Sequence, residues 1–547
     1  MKGQRSWTTA LVVGVIALTS GGWLINQGVE GGVVESRRLL SEVHRLLADR
    51  FVDEVPPDEL YRMAIDGMLE QLGDPYTDFL DPREREDLRY STTGNYGGLG
   101  VRIDSKDDWI TIVQVLPDSP ALREGLMVGD RIVAVEGESA EGWTQDKAVS
   151  VLRGEKGDPV NITIARVGAA QPLNYRFVRD RIQVVQAQGF MLEDRIGFVQ
   201  LRGFTRQAQE EMVEAIDRLI DNGARGLILD LRMNPGGLLE EGISVTDLFL
   251  EQGAEVVETR SRLPDQNYIY DAPGGERYPD IPMVVLVDRF SASASEIVAG
   301  ALQDHDRAVI VGTTSFGKGS VQTLYGLSGD NTIKITTARW YTPVGRSIQK
   351  EFDRESAMQS LVENAVSISG EPVSQPEVAD RERFYTSSGR VVYGGGGITP
   401  DLIVLGDTLS TEEQALRRIA TSNGVDIRNL AFRWSVAWAN DHEIDPGFRV
   451  TETMRTALFE ALDEAGAGID RDLFDASENW IDYLIAINVA RAEFGEIEQL
   501  RAQASRDAQV KTAVDLLRRA ETPAALLDVA SREAEARESS GASEGAP

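Results

Sequence analysis

Two short segments near the middle of the chain carry residue types suited to nucleophilic catalysis. Ser293 lies between an apolar run and an amphipathic run, and Lys318 lies in the glycine-flanked sequence 316–322. A serine hydrolase that lacks a nearby histidine needs another base. A lysine enclosed in an apolar turn can take that role, because burial disfavours the charged amine and lowers its pKa below the usual value of about 10.4.

A histidine-based triad is disfavoured by position. His305 comes twelve residues after Ser293 in the same predicted helix, which places the two side chains about 18 Å apart. His44 and His442, the other two histidines of the chain, fall outside the segment that carries the serine and the lysine. Lysine is therefore the better candidate for the base.

Peptide hydrolysis also needs hydrogen-bond donors for the oxyanion. Ser293 precedes a predicted helix, so the N–H of Ala294 should point into the space where negative charge develops. The loop 234–237 (Asn-Pro-Gly-Gly) can supply a second donor, because two glycines allow close backbone approach. If residues 318–322 form a strand, Gln322 shares a face with Lys318 and its amide can orient the amine. Taken alone, a serine before a helix is more often only a helix cap, and a glycine-flanked lysine or an Asn-Pro-Gly-Gly sequence is more often only a turn.

The elements that must position these residues alternate between strands and helices over 182–406. Strands are predicted at 195–201, 226–231, 283–287, 308–311 and 332–340, with helices at 207–222, 238–250 and 294–303. Such alternation is typical of an α/β fold with parallel crossover units. Each of the three candidate loops follows an apolar strand, which favours one shared site over three unrelated turns.

Residues 95–181 form a second, β-rich module that resembles a PDZ domain. A glycine turn at 96–100 precedes a strand, and the sequence Gly129–Ile132 stands at the expected place further along. PDZ domains capture a terminal carboxylate on backbone N–H groups and add the peptide to a sheet edge. The resemblance places peptide binding on Gly98, Leu99 and Gly100.

The rest of the chain is predicted to be mostly helical, apart from its two ends. Residues 33–90 and 407–535 show helical periodicity, and 536–547 form a small, polar tail predicted to be disordered. Residues 7–25 are uncharged and follow Lys2 and Arg5. We therefore expect 1–27 to be a transmembrane anchor, which is favoured over a cleaved signal, with the catalytic part extracytoplasmic (periplasmic).

Composition narrows the functional classes. The formal net charge is −32, which argues against a nucleic-acid partner because phosphates would be repelled. The absence of cysteine excludes disulfides and thiolate chemistry. No cluster of residues has the spacing of a metal site, so neither a metal nor another cofactor is expected.

Taken together, the motifs closely resemble the carboxyl-terminal processing proteases (tail-specific proteases) over residues 35–406. The segments that carry the resemblance are the PDZ-like module and residues 73–77, 229–237, 291–296, 316–322 and 396–401. The resemblance implies a ClpP/crotonase-like α/β protease core into whose chain the PDZ-like module is inserted. It also implies that this module binds the substrate C-terminus and gates the site, with Arg153 as a possible coupling residue. The substrates implied are proteins with exposed tails.

The same resemblance assigns roles in a serine–lysine dyad. The nucleophile falls on Ser293, rather than Ser291 or Ser295, and the base on Lys318. Gln322 is the orienting amide, and the oxyanion donors fall on Gly237 and Ala294. The role of residues 407–535 stays open between assembly into a homo-oligomer and docking of an adaptor protein.

Three other interpretations fit parts of the same sequence. Residues 312–318 fit a phosphate-binding loop, but Gly319 stands where a magnesium-binding Ser or Thr is required. Two Ser-x-x-Lys sequences, at 315–318 and 347–350, resemble penicillin-recognising enzymes, but no Lys-Thr-Gly follows. The alternative from another class is an inactive scaffold that binds peptides through the PDZ-like module alone.

Overall fold

The computed structural model describes residues 34–106, 108–166, 168–350, 381–406 and 409–544. The chain divides into two compact units, one formed by residues up to 81 together with 324–335, and the other by 82–323 and 336 onward. The predicted anchor, 1–27, lies outside the described residues. Within the described ranges, no helix is both long and apolar enough to cross a bilayer.

The first unit is mainly helical. Helix α1 covers 34–50, helix α2 covers Pro57–Gln71, and strand β1 (Asp78–Leu80) pairs antiparallel with residues 332–334. Pro56 and Pro57 separate the helices, as expected where proline opens a helix but cannot continue one. The apolar face predicted for α1 is exposed, with relative exposures of 42–61% for Leu39, Leu40, Val43, Leu46 and Leu47.

The second unit begins with helix α3 (Pro82–Thr93) and the predicted β-rich module. Strand β2 (Asn95–Gly98) pairs antiparallel with β9 (Asp180–Gln183). Between them lies an antiparallel sheet in the order β3-β4-β5-β7-β8, with β6 on β5. Its strands are β3 (Val101–Lys106), β4 (Trp109–Val115), β5 (Arg131–Val135), β6 (Glu138–Ser139), β7 (Pro159–Ala165) and β8 (Leu173–Val178), and its helices are α4 (Pro120–Arg123) and α5 (Gln145–Leu152).

A six-stranded sheet forms the centre of the α/β region. Its order is β10-β11-β12-β15-β16-β21, and all neighbours are parallel except β10 and β11. The strands are β10 (Ala187–Met191), β11 (Ile196–Leu201), β12 (Gly226–Asp230), β15 (Met283–Val287), β16 (Val309–Gly312) and β21 (Leu402–Ile403). The crossover helices are α6 (Ala208–Asp221), α7 (Leu239–Asp247) and α8 (Ala294–Asp304). The parallel arrangement was predicted; the antiparallel edge strand β10 was not.

Both faces of this sheet are buried, which explains why its central strands are continuously apolar. Leu227 and Leu229 face a core shared with α6, α7 and α8, while Ile228 faces a second core on the opposite side. Alternation of side chains along a strand directs neighbouring residues to opposite faces. The two cores therefore lie on the two sides of one sheet.

Further strands extend the α/β region. Strand β13 (Glu255–Arg260) pairs antiparallel with β14 (Tyr268–Asp271) and with residues 339–341 at the end of β18 (Thr332–Tyr341). Strand β17 (Ser320–Gly326) pairs with β18, and β19 (Arg383–Tyr385) forms a hairpin with β20 (Val391–Tyr393).

The C-terminal region is helical, as predicted, and most of its helices begin with a capping side chain. Ser410, Asp426, Thr451, Asp470 and Asp507 each accept a backbone N–H of the following turn. The helices are α9 (Thr411–Ser422), α10 (Ile427–Asp441), α11 (Glu452–Glu464), α12 (Arg471–Ala476), α13 (Glu478–Phe494), α14 (Glu496–Ala504), α15 (Ala508–Arg518) and α16 (Pro523–Glu544).

Helices α15 and α16 cover the second face of the central sheet. Val510, Ala513, Leu516 and Leu517 lie in one core with residues of β12, β15 and β16. Helix α16 also extends further than predicted, into the segment 536–547 that was expected to be disordered.

Candidate active site

Ser293 stands between strand β15 and helix α8 in a strained conformation. Its φ and ψ are 56° and −113°, and left-handed φ values are uncommon for residues other than glycine. Such strain costs about 1–3 kcal/mol and tends to cluster at functional sites. The sharp turn places Ser293 at the N-terminus of α8, as the sequence predicted.

Glu296 links the serine segment to the lysine segment. Its Oε2 accepts the backbone N–H of Ser293 at 2.8 Å and that of Lys318 at 2.9 Å. Its Oε1 accepts the N–H of Gly317 and the hydroxyl of Ser315, each at 2.6 Å. Burial raises the pKa of the Glu296 carboxyl above its usual value, and these four donors oppose that rise. One buried carboxylate therefore holds both segments.

Lys318 lies in a loop two residues before β17, rather than inside a strand. The loop is held by its backbone: the N–H of Gly319 donates to Oε1 of Gln349, and the carbonyl of Lys318 accepts the indole N–H of Trp340. The lysine is half-buried. The strand-alternation argument that paired it with Gln322 therefore does not apply, although β17 follows immediately.

Gln322 is on β17 and its amide is anchored there. The amide nitrogen donates to the hydroxyl of Ser320 at 2.9 Å and to that of Thr336 at 3.3 Å. These two bonds fix the orientation of the amide plane.

The glycine loop packs directly against the serine. Asn234 is fully buried; its carbonyl accepts the N–H of Ala292, and its side-chain oxygen accepts the N–H of Gly236. A Cβ on Gly236 would stand 2.8 Å from Cβ of Ser293 and 2.9 Å from the nitrogen of Ala294. Only a residue without a side chain fits this approach.

Where the glycine loop packs against the serine turn, two backbone N–H groups have no acceptor within the described ranges. They belong to Gly237 and to Ala294, the residues predicted as oxyanion donors. The N–H of Ala294 is unpaired because the first turn of a helix has no preceding carbonyl to contact.

Asp288 organises an apolar border beside these loops. Its Oδ1 accepts the backbone N–H groups of Met233, Phe290 and Ser291. The side chains of Met233 and Phe290 are 65% and 44% exposed, and that of Phe316, whose N–H donates to the carbonyl of Ser291, is 45% exposed. Three exposed apolar side chains therefore come from backbone segments that border the serine turn.

The predicted peptide-binding loop has unpaired donors as well. The N–H groups of Leu99 and Gly100 find no acceptor in the part of the chain that the structure describes. Gly100 has a φ of 79°, and a Cβ there would stand 2.2 Å from that of Ser119. Arg153 lies nearby, over the rings of Tyr90 and Tyr96, and its guanidinium is 3.4 Å from Asp87.

The three histidines make other contacts. A ring nitrogen of His305 is 2.7 Å from the carbonyl oxygen of Glu255, at the far end of α8 from Ser293. His44 stacks on Tyr61, and His442 stacks on Trp438. Across the described residues, no group of three or more acidic or histidine side chains is arranged to hold a metal ion.

Comparison with known proteins identifies the family. A carboxy-terminal-processing protease of Bartonella bacilliformis is 43% identical over 300 residues, which are 54% of this chain and 68% of that protein. A carboxyl-terminal-processing protease of Synechocystis sp. is 36% identical over 372 residues, covering 63% of this chain and 86% of the relative. The model of peptidase family S41 also matches this chain. The chain belongs to peptidase family S41.

Three family models match successive parts of the chain. Peptidase family S41 matches residues 195–355, the PDZ domain matches 90–165, and the N-terminal domain of the activating protease CtpB matches 27–84. A solved structure of a photosystem II D1 C-terminal processing protease covers 57% of this chain and 90% of its own, at 29% identity and a TM-score of 0.34. The family and domain matches make the protein a serine-type peptidase with a PDZ domain.

Several residues that build the site of this S41 peptidase escaped the sequence analysis. The sequence gives no sign of the role of Glu296, because a Glu at this position of a helix usually indicates a capping box and nothing more. The motif at 396–401 proves to support the lysine loop: the N–H of Ile398 donates to Ser315 Oγ at 2.6 Å. A Ser beside a Gly-rich segment gives no sequence signal of that contact.

Arg232 is a further residue of this kind. Its guanidinium contacts Asp230 at 2.8 Å and Asp507 at 2.6 Å, so it joins the end of β12 to the start of α15. Burial alone would lower the pKa of Arg232, but the two carboxylates raise it on balance. The ion pair ties the C-terminal helices to the strand that leads into the glycine loop.

Proposed function

We propose that this S41 peptidase cleaves proteins near their C-termini through a dyad of Ser293 and Lys318, with the PDZ domain binding the substrate tail. The observation that carries the proposal is the shared contact with Glu296, whose carboxylate accepts the backbone N–H of both residues. A carboxylate that holds two distant segments together preorganises them, as catalysis requires.

In the proposed reaction the neutral amine of Lys318 takes the proton of the Ser293 hydroxyl as the oxygen attacks the scissile carbonyl. The oxyanion accepts hydrogen bonds from Gly237 and Ala294, whose N–H groups otherwise lack acceptors in the described ranges. Each such donor is worth about 3 kcal/mol. The lysine then protonates the leaving amine, and water attacks the acyl-enzyme in the same way.

Gln322 is proposed to orient the lysine amine. Its amide is held by Ser320 and Thr336, and it carries no charge. A carboxylate at this place would favour the protonated lysine and oppose the reaction. Because the amine must be neutral to act, we expect the rate to rise with pH between about 5 and 9. A flat profile over that range would argue against lysine as the base.

The PDZ domain is proposed to capture the substrate's terminal carboxylate on Gly98, Leu99 and Gly100 and to gate the site. Support comes from the unpaired N–H groups of Leu99 and Gly100. Such groups form the carboxylate-binding nest of peptide-tail modules. The exposed apolar side chains beside the active site favour substrates with apolar residues at the cleavage point.

The decisive experiment compares Ser293→Ala and Lys318→Ala with two control variants, Ser422→Ala and Lys511→Ala, which change exposed residues of the C-terminal helices. A test protein with an unstructured, apolar C-terminal tail is incubated with each, and fragments are analysed by mass spectrometry. We expect cleavage to be lost in the first pair and retained in the second. Cleavage that survives Ser293→Ala would favour the inactive peptide-binding scaffold or another nucleophile.

An extracytoplasmic location is also proposed, on the uncharged run 7–25 preceded by Lys2 and Arg5. Cell fractionation of the full chain, followed by protease protection of spheroplasts, tests it. Release of the protein into the cytoplasmic fraction would contradict the proposal.

A further inference from the structure

A cavity of about 690 Å³ is lined by residues of both the PDZ domain and the C-terminal helices. One wall consists of the peptide-binding loop and groove, with Leu99, Val101 and Val149. A second part of the lining is the junction of α13 and α14, which contributes Phe494 and Ile497. The cavity thus has apolar side chains on two walls that come from different parts of the chain, and it is large enough for several residues of a peptide.

The charge of this cavity is opposite to that of the protein. Its lining includes four arginines and a single acidic residue, Glu496, although the chain as a whole carries a formal charge of −32. The arginines are Arg102, Arg153, Arg202 and Arg491. A positive cavity in a strongly negative protein concentrates negatively charged ligand groups.

Three of the four arginines already have carboxylate partners. Arg202 and Arg102 contact Glu496 at 2.7 Å and 3.5 Å, and Arg153 contacts Asp87. Arg491 differs: it is half-buried, yet its guanidinium forms no hydrogen bond or ion pair within the ranges that the structure describes. A guanidinium with five donors and no acceptor is costly to bury, and a bound carboxylate would remove that cost.

The electrostatic surroundings of Arg491 also affect the pKa of its guanidinium. Burial lowers the pKa of Arg491, and the positive charge of Arg102 lowers it further, with Glu496 and Asp104 opposing both. Burial and the charge of Arg102 thus outweigh the effect of the two carboxylates on the pKa of Arg491.

Glu496 fixes the position of this wall. It accepts hydrogen bonds from Gln114 of the PDZ domain at 2.8 Å and from Gln188 of the central sheet at 3.3 Å, in addition to its contact with Arg202. Val113 of the PDZ domain also packs against Phe432 and Val436 of α10. The α13–α14 junction is thus held against the PDZ domain by both polar and apolar contacts.

We propose that the C-terminal helices complete the tail-binding site and that Arg491 binds a carboxylate of the substrate tail. This inference rests on the proposed function, since it assumes that the PDZ domain receives peptide tails. The carboxylate is either the α-carboxylate of the last residue or an acidic side chain close to it. Arg491 is then a specificity-determining residue supplied from outside the PDZ domain.

The test measures binding to the full chain carrying Ser293→Ala, with and without Arg491→Gln. The probes are four fluorescein-labelled peptides with the same apolar tail, ending in a free carboxylate or an amide, each with Asp or Asn near the end. Dissociation constants are measured by fluorescence anisotropy. We expect Arg491→Gln to weaken binding of the peptides that carry the recognised carboxylate by about tenfold, the typical worth of a charge-assisted hydrogen bond.

The pattern of loss identifies the carboxylate. A loss confined to peptides with a free terminus assigns the α-carboxylate to Arg491, and a loss confined to the Asp peptides assigns the side chain. Arg491→Lys should recover part of the affinity, because it restores the charge without the planar fork. Arg532→Gln, an exposed arginine of α16, removes the same charge elsewhere and should have no effect.

An equal loss for all four peptides, no loss for any, or no binding to the Ser293→Ala chain would overturn the inference. Failure of the proposed catalytic mechanism has a different sign, which is hydrolysis of the test protein that persists in the Ser293→Ala variant. The two failures are therefore distinguishable.

Discussion

The backbone N–H of Lys318 donates to Oε2 of Glu296 at 2.9 Å, so the loop that carries the lysine is fastened to the first turn of helix α8. The same oxygen accepts the N–H of the residue that caps this helix, at 2.8 Å. The separation of the two loops is thus set by one buried side chain, and variants of that side chain should disturb both together.

Glu296→Gln is expected to lower kcat by 100-fold or more and the free energy of unfolding by about 2–4 kcal/mol. The amide NH2 of glutamine would face backbone donors that need an acceptor, and each donor left unpaired costs about 1–3 kcal/mol. Steady-state kinetics and urea unfolding measure the two effects.

Glu413→Gln is the matched control for that variant. Glu413 is also buried and accepts the N–H of its own capping residue, Ser410, at 2.8 Å, but on helix α9. We expect a smaller loss of stability and an unchanged kcat. Equal losses of activity in the two variants would show that Glu296 acts only as a helix cap.

Gly236→Ala should abolish most activity while Gly253→Ala retains it. Both glycines have left-handed φ values, 95° and 81°, so both variants carry a similar backbone strain of about 1 kcal/mol. A Cβ at Gly236 would press on Ser293, whereas one at Gly253 meets no atom within 4 Å. Labelling with a serine-reactive phosphonate probe reports the difference, and equal labelling of both variants would refute it.

Leu516→Ala is expected to lower the free energy of unfolding by about 3 kcal/mol, the usual cost of a leucine removed from a packed core. Leu516 is 1% exposed in the core between α15 and the central sheet. Leu263→Ala, at a position 43% exposed, should change stability by less than about 0.5 kcal/mol. Chemical denaturation distinguishes them, and similar midpoints would mean that α15 is not part of the cooperative core.

The contribution of Glu496 to stability should depend on pH. Burial alone would raise the pKa of Glu496, but Arg202, with help from Gln114 and Arg102, lowers it on balance below the usual value near 4.5. A carboxyl group whose pKa is lower in the folded state than in the unfolded state stabilises the protein at pH values above its unfolded-state pKa. This stabilisation is lost as the pH falls through the folded-state pKa.

Wild type should therefore be more stable than Glu496→Gln at neutral pH, with the difference shrinking below about pH 4.5. Thermal unfolding across this range measures it. Glu498→Gln, which removes a partly exposed partner of Arg501 on the same helix, is the control and should show little difference at any pH. A difference for Glu496→Gln that does not vary with pH would contradict the electrostatic explanation.

The sequence by itself determined the peptidase family, the PDZ domain and the alternation of strands and helices in the α/β region. These features depend on local signals: apolar runs mark buried strands, and glycine and proline mark the turns between them. The positions of Ser293 and Lys318 in their motifs also come from the sequence, and their catalytic roles stay a proposal.

Only the tertiary structure decided which partners these elements have. Periodicity shows that a strand or helix has an apolar face, but it does not show what covers it. The structure assigns α15 and α16 to the second face of the central sheet, and it leaves the apolar face of α1 exposed. Likewise the role of Glu296 depends on the lysine loop, which is close to it in space but distant in sequence. The Glu296 carboxylate accepts hydrogen bonds from backbone N–H groups of that loop. Every residue except proline has such a group, so the contact leaves no mark on the residue types of the loop.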